Sequence, residues 1–241
     1  MRISIALIFV AAVAVGVALW PGAGACGQAG ETAAASLIYI NRCVGGCVVY
    51  PGQDDAVARK SSIVNQTSTV GEFTYGDAAF GGVVGCLQSV LSRYNVQLTT
   101  VDPGSVPRRE VLFAGTPQQV GMPGGLGGVA PFTGQPIENV LVFVFANSLG
   151  GDVDLGCAVA ANTLVHVYGL DNEYACHDLT SYVNCGLKSF QDAEEPCGEY
   201  APRQCANGSS TQNSDAMLRA VIGTDDRLLF SNFDSPQPVV Y

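Results

Sequence analysis

The chain has 241 residues, 48% of them hydrophobic, and its 21 acidic side chains outnumber 11 basic ones for a formal charge of −10. That length suits one sizeable domain, and the acidic balance excludes nucleic acid as a partner, because phosphate recognition needs a basic footprint. Acidity of this kind keeps an exported protein soluble.

Residues 1–25 have the layout of a secretory signal: Arg2, an apolar run from Ile3 to Trp20, then Pro21 and small residues at Ala23 and Ala25. A membrane anchor is the competing reading, since the run nears the ~18 residues that a span needs. The Pro21 break and small-residue exit favour cleavage and export. Ala23-Gly24-Ala25-Cys26 also resembles a bacterial lipoprotein box, which would place lipid on Cys26. Membrane contact is expected only through the signal or that anchor.

Residues 26–35 read as a spacer, 36–223 as the folded domain and 224–241 as an irregular tail. Setting Cys26 aside leaves Cys43, Cys47, Cys86, Cys157, Cys176, Cys185, Cys197 and Cys205. In an exported chain these imply disulfides. The pairing we expect is 43 with 47, 86 with 157, 176 with 185 and 197 with 205. No CxxC pair exists, so zinc-finger use is not expected.

In chain order, Ser36–Asn41 is the first strand candidate, and Cys43-Val-Gly-Gly-Cys47 a stapled turn. Residues 51–71 are polar and read as a surface loop, with a glycosylation sequon at Asn65 and a second far downstream at Asn207. Asp77 is the expected cap of an amphipathic helix carrying Phe80, Val83, Val84, Leu87, Val90, Leu91 and Tyr94. Gly81, Gly82 and Gly85 in that helix suggest a neighbour packed close to its backbone. Strands are expected at Val96–Val101, Glu110–Ala114 and Val140–Ala146, the last with the composition of a strand buried on both faces. Between them Pro123–Pro131 is glycine-rich, without the lysine and following helix of a phosphate loop. Asp152 and Asp154 sit where a helix N-terminus favours acid, at the start of a helix that carries His166. Residues 174–223 are cysteine-rich and irregular apart from a last helix at Gln212–Ile222.

Within that helix lies Asn162-Thr163-Leu-Val-His166-Val-Tyr-Gly169-Leu-Asp-Asn172. Positions 162 and 166 share a helix face one turn apart, and a glycine at 169 can turn the chain so that residue 172 swings back. The stretch and the element order resemble the catalytic domain of the metzincin zinc metalloproteases, whose signature is H-E-x-x-H-x-x-G-x-x-H. The resemblance covers roughly 36–182. It implies an α/β (α+β) fold, a twisted mixed sheet packed by two main helices, with residues 36–173 as the sheet and helix part. It also implies zinc at positions 162, 166 and 172, a general base at 163, and an edge strand at Gly127, Gly128, Val129 and Ala130 that aligns a peptide. Asp178-Leu-Thr180-Ser181-Tyr182 resembles the turn beneath the metal, with Thr180 in place of its methionine.

Only His166 and Gly169 keep the signature. Asn162 and Asn172 are neutral amides, poor partners for zinc, and Thr163 lacks basicity. The expectation is therefore an exported domain without catalysis or cofactor that keeps a cleft for a peptide or protein. The alternatives are an active zinc metallopeptidase with atypical ligands and a surface lipoprotein that binds or adheres. A shifted metal site would use His166, Glu173 and His177. Asp152 and Asp154 could hold calcium, although capping is the simpler role. No GxSxG elbow is present, and His166 and His177 are the only histidines.

Overall fold

The run VLVFV is β-branched and aromatic throughout, and it forms a strand with every residue buried, around which the main sheet is built. The computed structural model describes residues 34–183 and 185–225. The expected signal, Cys26 and most of the tail lie outside these residues. The strands are β1 (Ser36–Asn41), β2 (Cys47–Pro51), β3 (Lys60–Ser61), β4 (Ser68–Val70), β5 (Val96–Thr99), β6 (Arg109–Phe113), β7 (Gly128–Val129) and β8 (Val140–Val144). The helices are α1 (Gly76–Leu91), α2 (Val153–Val165) and α3 (Ser214–Ile222).

Five strands make a mixed sheet in the order β5-β1-β6-β8-β7. Four run parallel, while β7 lies antiparallel on β8 at one edge, Val129 opposite Phe143. β6 and β8 are buried along their whole length, as parallel strands covered on both faces are. The fold is thus mixed α/β, as expected.

β6 begins at Arg109 rather than Glu110. The buried Arg109 guanidinium stacks 4.2 Å from the Tyr168 ring centre and donates to Ser36 Oγ at 2.7 Å, so a charged residue can enter the strand. β5 stops at Thr99, two residues early. Thr99 Oγ1 accepts from the Val101 backbone N–H, which turns the chain and leaves Val101 exposed.

Asp77 does not cap α1; the cap is Tyr75, and Asp77 sits in the first turn, paired with Arg42. α1 ends at Leu91 and packs on α2, with Cys86 and Cys157 joining the two helices. Of the three glycines, only Gly82 meets a neighbour: a Cβ there would lie 3.0 Å from Val153, while Gly81 and Gly85 face open space.

The expected surface loop at 51–71 is largely turns and exposed chain, but β3 and β4 within it pair with β2 in a small sheet of order β3-β2-β4, and Ala56, Val64 and Val70 are buried. The two outer strands, KS and STV, are only two and three residues long, too short to show a period. All four expected disulfides are present. They fit an oxidising, exported setting. Among the described residues, no helix is long and apolar enough to cross a membrane. α3 starts at Ser214, two residues later than expected, because the Asn213 side chain caps it by accepting from the Ala216 N–H at 2.8 Å.

Candidate functional site

α2 follows β8 through a short turn and starts where the Asp152 side chain accepts from Leu155 N–H at 3.0 Å. That capping contact assigns Asp152 a structural role. The helix ends at Val165, tightens into a single 3-10 turn at His166–Tyr168, and stops at Gly169 with φ 90°. A Cβ on Gly169 would also lie 3.2 Å from the Gln135 backbone, so glycine is required twice over. The chain then doubles back and places Asn172 against α2.

The Asn162 amide donates to Asn172 Oδ1 at 3.1 Å and to the Thr180 carbonyl at 2.8 Å. Two of the three positions expected to share a metal, 162 and 172, are thus brought together, but they are hydrogen-bonded to each other. Two ligands of one ion would instead both turn lone pairs toward it. Asn172 in turn donates to Glu199 Oε1 at 3.3 Å. The donor set and its geometry do not fit zinc.

His166 lies at the end of this helix with its Nδ1 2.8 Å from the Leu170 carbonyl. A carbonyl only accepts, so Nδ1 carries the proton and Nε2 keeps its lone pair. Burial lowers the His166 pKa, which keeps the ring neutral. The Phe132 ring lies 5.5 Å from it.

Thr163 is buried and donates to its own helix at the Val159 carbonyl, 2.7 Å away. It touches β7 from below: a Cβ on Gly128 would overlap the Thr163 hydroxyl and approach the Phe143 carbonyl oxygen to 2.9 Å. Thr163 therefore packs and does not act as a base. Gly128 and Val129 form the edge of the sheet, with no described strand on their outer side, and Gly127 and Ala130 flank them.

The expected shifted site does not assemble. Glu173 is fully buried and accepts from Gln212 Nε2 at 3.0 Å, whereas His177 is exposed beside Cys176. Cys176, His177 and Cys185 do bring ligand atoms within 4.8 Å of one another, but the two sulfurs are bonded together. A disulfide sulfur has no thiolate to give a metal.

Thr180 replaces the methionine of the expected turn and bonds laterally. Its hydroxyl donates to Asp178 Oδ1 at 2.6 Å and accepts from the Glu173 N–H at 3.3 Å. Asp178 Oδ2 accepts from Ser214 Oγ at 2.5 Å, which ties this turn to α3.

Glu199 and Arg203 were not legible in the sequence. Arg203 donates to both Asp171 oxygens at 2.7 and 2.8 Å and to Glu199 Oε1 at 2.6 Å. Burial pushes the Asp171 pKa up, but Arg203 and the N–H groups of Ala206 and Asn172 outweigh it and hold the carboxyl low. The Arg203 hydrogen bond likewise lowers Glu199. These contacts cross 32 residues from Asp171, and no motif spacing announces them. Nearby, the exposed Tyr182 and Tyr200 rings meet edge-on at 6.1 Å. No protein-family model matches the chain, and no curated protein matches it.

Proposed function

We propose that the chain is an exported metallopeptidase-like domain of metzincin type that has lost its metal chemistry and binds an extended peptide or protein segment beside β7. The observation that carries the loss is the hydrogen bond from Asn162 to Asn172. It joins α2 to the returning chain, the connection that a shared metal makes in an active enzyme, and the pair has no need of an ion.

The ancestry is supported by the sequence of parts: a buried strand, a helix ended by a left-handed glycine, and a return segment that reaches the helix face. Binding is supported by the antiparallel edge strand, whose outer N–H and C=O groups suit an added strand. Exposed Phe132, Tyr182 and Tyr200 near the return segment offer rings for side chains of a guest.

Metal content and peptide cleavage test the chemistry. Purified protein is expected to hold no equimolar zinc and to show no chelator-sensitive hydrolysis; one equivalent of zinc with such hydrolysis would overturn the proposal. The scaffold is tested by Asn162→His with Asn172→His and Thr163→Glu, which is expected to create a zinc site. A folded variant that takes up no zinc contradicts the metzincin reading. For the binding arm, peptides selected from a random library should slow hydrogen exchange at Gly127–Ala130. Selected binders that protect only other regions exclude the β7 edge.

A further inference from the structure

Around the turn at Asp178–Tyr182 the chain comes to the surface in a short loop closed by Cys176 and Cys185. This disulfide differs from the other three in access. Each of the others contains a cysteine no more than 2% exposed, whereas Cys176 is half-buried and Cys185 is exposed. Exchange needs a thiolate to reach a disulfide sulfur, so this is the bond that a thiol in solution opens first.

His177 stands beside that bond. A ring nitrogen and the two sulfurs lie within 4.8 Å of one another, and the histidine is exposed. Among the described residues the ring takes part in no hydrogen bond or ion pair, so its nitrogens are available. An imidazole next to a disulfide also stabilises the thiolate that leaves it.

The loop keeps its shape by bonds that do not pass through sulfur. The Ser189 N–H donates to the His177 carbonyl at 3.1 Å, the Leu179 N–H to the Ser189 carbonyl at 3.2 Å, and Lys188 Nζ to the Ser181 carbonyl at 2.6 Å. Asp178, next to His177, accepts from Thr180, Gln191 and Ser214. The segment that carries Cys185 is thus pinned at both ends, and the three side chains stay neighbours when the S–S bond is gone.

We infer that Cys176, His177 and Cys185 form a redox-gated zinc site, closed while the disulfide stands and opened by a dithiol. One thiolate of the dithiol attacks Cys185 Sγ, and the S–S bond breaks with its electron pair on Cys176 Sγ. The second thiolate attacks the dithiol sulfur of that mixed disulfide and releases Cys185 Sγ. The dithiol leaves as a cyclic disulfide, oxidised by two electrons, its two protons pass to solvent, and the protein holds two thiolates. Two thiolates and an imidazole are ligands that zinc prefers, with water in the fourth tetrahedral position. The site shares no residue with the α2 site and does not rest on the peptide-binding reading.

The test treats the full chain with dithiothreitol under native conditions, removes it by gel filtration without air, and divides the product between iodoacetamide labelling and zinc calorimetry. Labelling is expected at Cys176 and Cys185 before any other cysteine of the four disulfides. The opened chain is expected to bind about one zinc and the oxidised chain none at this site, and Co2+ in its place should give the visible absorption of a thiolate complex. His177→Ala, a change at an exposed position, should open more slowly and bind zinc about tenfold more weakly or worse. Asn162→Ala should leave the zinc affinity unchanged. Cys176→Ser with Cys185→Ser should stay folded by circular dichroism and bind none. Earlier opening of another disulfide, unfolding on opening or in the double serine variant, no zinc uptake after opening, or uptake indifferent to His177→Ala would overturn the inference.

Discussion

Glu173 is a buried carboxyl, with Gln212 Nε2 on one oxygen and no hydrogen-bond partner for Oε2 among the described residues. Burial, reinforced by the charge of Asp178, raises its pKa to about 8, against which the Gln212 hydrogen bond acts only partly. Because the folded value lies above the unfolded one, the group's contribution is full below about pH 4.5 and is lost as pH rises toward about 8. Chemical denaturation across that window should show stability falling by on the order of a few kcal/mol. Glu173→Gln should flatten the profile, and an unchanged slope in that variant would assign the effect elsewhere. Gly169→Ala is a second prediction at this scale. A left-handed φ and the Gln135 backbone at 3.2 Å should together cost about 1 to 3 kcal/mol, measured by the denaturation midpoint.

Between elements, the disulfides divide the work unequally. Cys86–Cys157 ties α1 to α2 across 71 residues, whereas Cys43–Cys47 spans 4. Chain entropy assigns about 4 kcal/mol to the first and about 2 to the second. Thermal melting of Cys86→Ala with Cys157→Ala should therefore show a larger loss than Cys43→Ala with Cys47→Ala. The same contrast explains what the sequence disclosed. β1, β8 and α2 carry their own period or composition, and the turn at Gly169 follows from one residue type at one spacing. The β3-β2-β4 sheet pairs the apolar β2 with pieces of only two and three residues, and the Arg203 clamp closes between loops, so neither β3, β4 nor the clamp leaves a local pattern. At the candidate site, Asn162 lies on α2, His166 in the turn just beyond its end rather than within it, and Asn172 on the return. The hydrogen bond between Asn162 and Asn172 was not legible, because two adjacent amides can bond each other or face an ion, and only packing against Thr180 and Glu199 decides.

For the whole molecule, charge and burial pull in opposite directions. The formal charge of −10 and a sequence pI of about 4.4 place the solubility minimum in mild acid. The contribution of Glu173 is full in the same range. Heating near pH 4.5 should therefore give a late unfolding transition followed by precipitation, and heating near pH 8 an earlier transition in clear solution. Paired circular dichroism and turbidity scans check this. The edge of the main sheet carries a further consequence. β7 is two residues long, so a guest strand gains only about two main-chain hydrogen bonds, worth on the order of 1 to 3 kcal/mol together. A micromolar complex needs about 8 kcal/mol. Under the proposed function, a guest laid there would be aligned by its backbone and retained by its side chains, with the short strand as a guide rail and the choice of partner left to the rings around it.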